Sequence, residues 1–125
     1  MTGVTLDTGA LIGFDRNKRT VVAIVRRALD AGATLAIPAG VVGQAWRDGR
    51  RQVRLARLLG SPAVAIVPLD DLRARAAGQL CGVTGAADVI DASVVLCARS
   101  YGHGVLTSDI EDLRRLDSTL TLTRV

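Results

Sequence analysis

The sequence predicts a single α/β domain (residues 1–125) with a mainly parallel, five-stranded sheet covered by helices on both faces. Three observations carry that expectation. Short apolar runs alternate with segments of helical period, the pattern of strand–helix–strand units over a parallel sheet. The apolar content, 49%, is almost wholly aliphatic, with Phe14, Trp46 and Tyr101 the only aromatics. A chain of 125 residues can bury one core but not two.

The elements follow in order. Val4-Thr5-Leu6 is a short strand ending at Asp7, and Thr8 to Ile12 turns into a short helix with Asp7 or Thr8 as its cap. An acid in that place either caps the helix or stands at the sheet edge where α/β folds bind ligands; both readings are open. Lys18 to Ala31 has a helical period, and Gly32 ends it. Leu35-Ala36-Ile37 is the second strand, and Pro38 suits the first turn of a helix carrying Val41, Val42, Ala45 and Trp46. Arg47, Arg50, Arg51, Arg54 and Arg57 would share an arc of about 120° if one helix ran through them. Such a stripe is either a solvated face or a surface for phosphates or an acidic partner, and Gly49 is a possible break within it.

Val64 to Val67 is a third strand between Pro62 and Pro68, followed by an Asp70-capped helix from Leu72 to Leu80 and a loop from Gly82 to Gly85. Asp88 and Asp91 then lie three apart on a helix that reads as buried, so they share a face. Gly102 and Gly104 stop that helix, and Val105-Leu106-Thr107 is a strand ending at Ser108-Asp109. Asp112 falls on the opening turn of the next helix, and Thr119 to Thr123 reads as an edge strand.

Composition removes several classes of function. No apolar run approaches the roughly 20 residues of a membrane-spanning helix. The N-terminal stretch has no basic region before its apolar part, as a signal peptide would, so a cytoplasmic protein is expected. Cys81 and Cys97 are expected to be reduced core thiols. His103 is the only histidine and no Cys-x-x-Cys occurs, which argues against zinc; a Ser-His-Asp triad would need that same histidine, flanked by two glycines. The net charge of +4 leans towards a polyanion partner.

The acids are the chemistry-bearing groups. In a parallel sheet Asp7 and Asp109 both emerge at strand carboxyl ends, and a topological switch point can bring those ends side by side. Carboxylates gathered there repel, and a hard cation such as Mg²⁺ or Mn²⁺ lets them stay ionised together. Asp7, Asp91 and Asp109 form the expected inner set, with Asp88 and Asp112 around it and Thr8, Thr107 and Ser108 as hydrogen-bonding support. The same aspartates also suit helix caps and first turns.

The segments L6-D7-T8-G9-A10-L11-I12, D91-A92-S93-V94-V95-L96-C97-A98 and L106-T107-S108-D109-I110-E111-D112-L113 resemble the PIN domain, above all VapC-type toxins. The resemblance covers the whole chain. It implies a Rossmann-like three-layer α/β/α sandwich and a Mg²⁺- or Mn²⁺-dependent endoribonuclease. It also implies a homodimer and a VapB antitoxin partner. By position Asp7, Asp91 and Asp109 would be the metal acids and Asp112 an accessory one. The family usually has a glutamate where this chain has Gln44, and Glu111 is its only glutamate. Asp48, one turn on, is a candidate substitute. A neutral amide there weakens metal affinity, so a PIN-like binding module without turnover stands as the alternative. A metal-dependent phosphatase is a weaker third reading, since no Asp-x-Asp follows the first strand.

Overall fold

Among the described residues five strands, β1 (Gly3–Leu6), β2 (Thr34–Pro38), β3 (Val64–Val67), β4 (Gly104–Thr107) and β5 (Leu122–Arg124), form one sheet in the order β3-β2-β1-β4-β5. The structure, a computed structural model, describes residues 3–125; Met1 and Thr2, the start of the stretch read as lacking a signal peptide, lie outside them. Every pairing is parallel. The chain steps outward from β1 to β2 and β3, then crosses back to β4 and β5 on the other side of β1. That reversal leaves a crevice at the carboxyl ends of β1 and β4, the place where such sheets bind ligands. The register pairs Leu6 with Leu106, and the Asp7 amide donates to the Leu106 carbonyl at 3.1 Å. Asp7 therefore leaves its strand beside Thr107.

Among the described residues seven helices cover the sheet: α1 (Thr8–Asp15), α2 (Arg19–Asp30), α3 (Ala39–Ala45), α4 (Val53–Leu59), α5 (Asp71–Thr84), α6 (Val89–Tyr101) and α7 (Ile110–Leu116). The helices α2, α3 and α4 gather around α1, while α5 and α7 pack against α6. This is the three-layer α/β/α arrangement. The central helix α6 lies across β1, β2 and β4 and buries Ala92, Val94, Val95, Cys97 and Ala98. Its start is fixed by Asp88, whose Oδ1 accepts from the Ile90 and Asp91 amides. Its end is fixed by Gly102 in the left-handed region at φ 67°, which glycine adopts without a Cβ penalty. Leu6, Leu11, Leu35, Ile37, Val95 and Leu113 are wholly buried between the layers, each contributing about 1.5–3 kcal/mol by burial. Cys81 and Cys97 are buried and free. Among the described residues no single helix is long and apolar enough to cross a membrane.

Several elements differ from the sequence expectations. Pro38 closes β2 and stands before α3 rather than inside its first turn. The helix expected over Leu72–Leu80 runs to Thr84, so Gly82 is helical and Gly85, at φ 75°, provides the stop. Asp88 caps α6 and does not share a helical face with Asp91. The last strand is Leu122–Arg124 rather than Thr119–Thr123, because Asp117 folds residues 117–119 into a turn. Its Oδ1 accepts from the Thr119 amide and hydroxyl at 2.8 and 2.6 Å.

The five arginines do not lie on one helix. The helix α3 stops at Ala45 and α4 starts at Val53, leaving Arg47, Arg50 and Arg51 in a loop and Arg54 and Arg57 on α4. Gln52 stabilises the break. Its Oε1 accepts from the Arg47 and Asp48 amides at 2.7 and 2.9 Å, and its Nε2 donates to the Ala45 carbonyl at 2.9 Å. These bonds satisfy groups that a continuous helix would have paired internally.

Asp117 also ties the turn after α7 to α6, accepting from Arg99 Nε at 2.8 Å. Burial alone would raise its carboxyl, but the bonds from Thr119 and Arg99 hold it below its ordinary value. Asp117→Ala, which strands these donors, is expected to destabilise the chain by about 1–3 kcal/mol. The readout is a lowered urea midpoint at unchanged slope; an unmoved midpoint would show that the turn holds without the carboxylate.

Candidate functional site

The crevice between the ends of β1 and β4 is lined by acids from three elements. Asp7 caps α1, its Oδ1 accepting from the Ala10 amide at 2.8 Å, and is 4% exposed. The Thr107 hydroxyl and the Ser108 and Gly9 amides also hydrogen-bond this carboxylate, yet burial outweighs them and raises its carboxyl above the ordinary value. The Thr107 oxygen in turn accepts from the Asp109 amide at 2.8 Å. One buried hydroxyl thus fixes the two acidic strand ends relative to each other. At Gly9 an added Cβ would lie 1.8 Å from Ser108 Oγ and 2.7 Å from Ser108 Cβ, so a side chain there would displace Ser108.

Asp91, in the first turn of α6, meets Asp109 and Asp112 at the start of α7. One carboxylate oxygen from each lies within 4.8 Å of the others. The Asp91 carboxyl is pushed up to about 7, first by burial and then by the charges of Asp88, Asp109, Asp112 and Asp7. Asp109 is raised as well, by burial and then by Asp112. These are acids that cannot all ionise cheaply in this arrangement. Three oxygens this close suit a small divalent ion, so the residues fit the metal that the resemblance implies. Asp7 is not in this trio; its carboxylate is held back by the start of α1 and acts on Asp91 and Asp109 through its charge. Asp88 is exposed and engaged as a cap.

Gln44 does reach the site's edge. Its Oε1 accepts from the Thr8 hydroxyl, so Thr8 supports Gln44 rather than a carboxylate. On the same helix, Gly40 faces Ile90 of α6; an added Cβ would sit 2.3 Å from Ile90 Cδ1. Asp48 is turned away from the crevice. It accepts from the Arg50 amide at 3.0 Å and lies 4.0 and 3.9 Å from the guanidinium groups of Arg50 and Arg51. Arg47 donates to the Gly43 and Trp46 carbonyls at the end of α3. His103 is buried, with Nδ1 3.1 Å from the Thr5 hydroxyl and its ring stacked on Tyr101; it forms no triad. Sequence reasoning missed Gly9, Gly40 and Gln52, whose roles depend on what lies opposite them in space.

No protein-family model and no curated protein matches the sequence. Solved structures do. The chain matches the VapBC2 complex of Rickettsia felis bound to a promoter DNA fragment at 16% identity and TM-score 0.70, covering 98% of each chain. It matches the DNA-bound VapBC of Salmonella typhimurium at 20% identity and TM-score 0.69, over 99% of this chain and 98% of that one. It matches FitAcB of Neisseria gonorrhoeae at 19% identity and TM-score 0.62, over 95% of each. At such identities the likeness is one of fold, and it is the PIN-like fold that the sequence resemblance implied.

The Asp91 carboxyl carries a pH signature. In the folded, metal-free chain it titrates at about 7 against an ordinary 3.8, so the folded state holds a proton that the unfolded state releases. Its contribution to stability is full below about pH 4 and is lost as pH rises towards 7. Asp91→Asn is expected to flatten that slope. It should also raise stability at pH 8 by on the order of 1–2 kcal/mol, after allowance for screening of a half-buried group. Thermal melts at pH 5 and 8 in EDTA check this; an unchanged slope in the variant would place the titration elsewhere.

Proposed function

We propose that this chain is a VapC-like, Mg²⁺- or Mn²⁺-dependent endoribonuclease. The observation that carries this reading is the convergence of Asp91, Asp109 and Asp112 beside buried Asp7, in the crevice of a fold shared with VapBC and FitAB toxin–antitoxin complexes. Asp91, Asp109 and Asp112 hold the ion, and Asp7 adds negative charge from the end of β1. When bound, the metal supplies Lewis-acid stabilisation of the phosphodiester and lowers the pKa of water. The chain's own groups fix the geometry. Thr107 locks Asp7 to Asp109, the α1 cap immobilises the Asp7 carboxylate, and Asp88 raises the proton affinity of Asp91. Thr8 holds the Gln44 carbonyl oxygen, which sets the direction of the Gln44 amide at the rim. The same reading includes a cytoplasmic site of action, a homodimer and a VapB-like antitoxin; of these, the antitoxin has support in a toxin–antitoxin complex of like fold.

A second reading, a binding module without turnover, is favoured by one observation: the position of the family glutamate holds a neutral amide whose oxygen is already engaged by Thr8. The two readings part on a mixed RNA pool. Purified protein is expected to cleave it with Mn²⁺ or Mg²⁺ and not in EDTA, and Asp109→Asn is expected to lower the rate by ~100-fold or more. No cleavage by folded, antitoxin-free protein would favour the module. Gln44→Glu, which adds a charge at the rim, is expected to tighten Mn²⁺ binding about tenfold. Unchanged or weaker binding by calorimetry would remove residue 44 from the metal's surroundings.

A further inference from the structure

Half of the chain's cations stand on two short segments that the fold brings together. The turn between α1 and α2 carries Arg16, Lys18 and Arg19, and residues 47–57 carry the five arginines described above. These are eight of sixteen cations, accompanied by only Asp15 and Asp48 of the twelve acids. The two segments therefore hold a surplus of six positive charges, although the whole chain carries only +4. The rest of the molecule, with the carboxylate crevice, is net negative.

Gln52 joins the segments. While its Oε1 organises the loop, its Nε2 donates to Asp15 Oδ2 at 3.0 Å, and α4 packs against α1. All eight cations are exposed. Arg16, Lys18, Arg19, Arg54 and Arg57 have no side-chain hydrogen bond or ion pair among the described residues. Trp46, at the head of the loop, is 38% exposed. Part of its indole rests on Gly49, where an added Cβ would lie 2.7 Å from the ring. Asp7 begins α1 and Asp15 ends it, so eight residues of helix, about 12 Å, separate this surface from the crevice.

We propose that this surface is the track for single-stranded RNA flanking the cleaved bond. Phosphates lie against Arg16, Lys18 and Arg19 of the turn and Arg54 and Arg57 of α4, and a base stacks on Trp46. The proposal rests on the ribonuclease reading and extends it to how substrate is held. A crevice of repelling carboxylates attracts phosphate poorly by itself, so binding energy has to come from cations placed beside it. Unpaired cations with an exposed aromatic are the combination that holds single strands. An acidic peptide would use the cations but gain no base stacking.

The test measures binding in EDTA, which separates it from cleavage. A short single-stranded RNA is expected to quench the fluorescence of Trp46, the chain's only tryptophan. The triple variant Arg16→Ala/Lys18→Ala/Arg19→Ala is expected to bind at least about tenfold more weakly, with a salt slope flattened by about 0.7 per lost phosphate contact. Read by the anisotropy of a labelled RNA, since these variants lack tryptophan, Trp46→Ala is expected to weaken binding about tenfold and Trp46→Phe much less, while Arg26→Ala, outside the surface, leaves binding unchanged. Wild-type affinity and slope in the triple variant would overturn the proposal. So would an unquenched Trp46, or a poly-glutamate peptide that binds as tightly as the RNA. RNA binding of this kind without cleavage in Mn²⁺ would support the surface while removing the ribonuclease reading.

Discussion

Asp7, Asp91, Asp109 and Asp112 are delivered to one crevice from the end of β1, the first turn of α6 and the start of α7, and their mutual repulsion has to be absorbed by the structure around them. Part of it is absorbed by protons, as the raised Asp91 and Asp109 carboxyls show. Part is absorbed by hydrogen bonds: the Asp7 carboxylate receives the Thr107 hydroxyl and the amides at the start of α1. The supporting elements are correspondingly buried. β1, β2 and β4 are buried in the sheet interior, and α6 lies across all three. Gly9 stands close to the Ser108 side chain of the loop after β4, and Gly40 of α3 close to Ile90 of α6. A cation held there would convert that repulsion into coordination.

The same constraint gives meaning to the uneven distribution of charge. A positively charged protein whose crevice is acidic must keep its cations elsewhere, and here they collect around the far end of α1. The hydrogen bond from Gln52 to Asp15 fixes that arrangement, and it requires the helix break that separates α3 from α4. A continuous helix would have presented the arginines as a stripe with no connection to the α1–α2 turn. The neutral Gln44 belongs to this balance as well, since a glutamate beside Thr8 would add another charge to the crevice.

Much of this was legible in the sequence, because the signals were local. Alternating strands and helices gave the parallel sheet, and Asp7, Asp91, Asp109 and Asp112 stood out as acids at strand ends and first turns. The resemblance to the PIN domain supplied the layer arrangement, and Gln44 was visible as a departure from it. What could not be read depended on partners distant in sequence. Gln52 looks like an ordinary polar residue until its contacts with Arg47, Asp48 and Asp15 are known. Periodicity carried the arginines through residues 46–52 because it is blind to a side chain that replaces helical bonds. Asp7 and Asp112 were both read as acids of the site; the tight group is Asp91, Asp109 and Asp112, while the Asp7 carboxylate is bonded to the start of α1. Helix ends at Gly82 and Gly85 were misassigned because glycine alone does not say which of two positions adopts the left-handed conformation.

The most direct test of a carboxylate crevice built for a cation is to count the protons released when Mn²⁺ binds, by calorimetry in buffers of different ionisation enthalpy. With Asp91 titrating at about 7, binding at pH 6 should expel close to one proton, and binding at pH 8.5 almost none. Saturable binding with that pH dependence would establish that the ion displaces the proton held in the crevice. Binding with no proton release at pH 6, or no saturable binding at either pH, would contradict it.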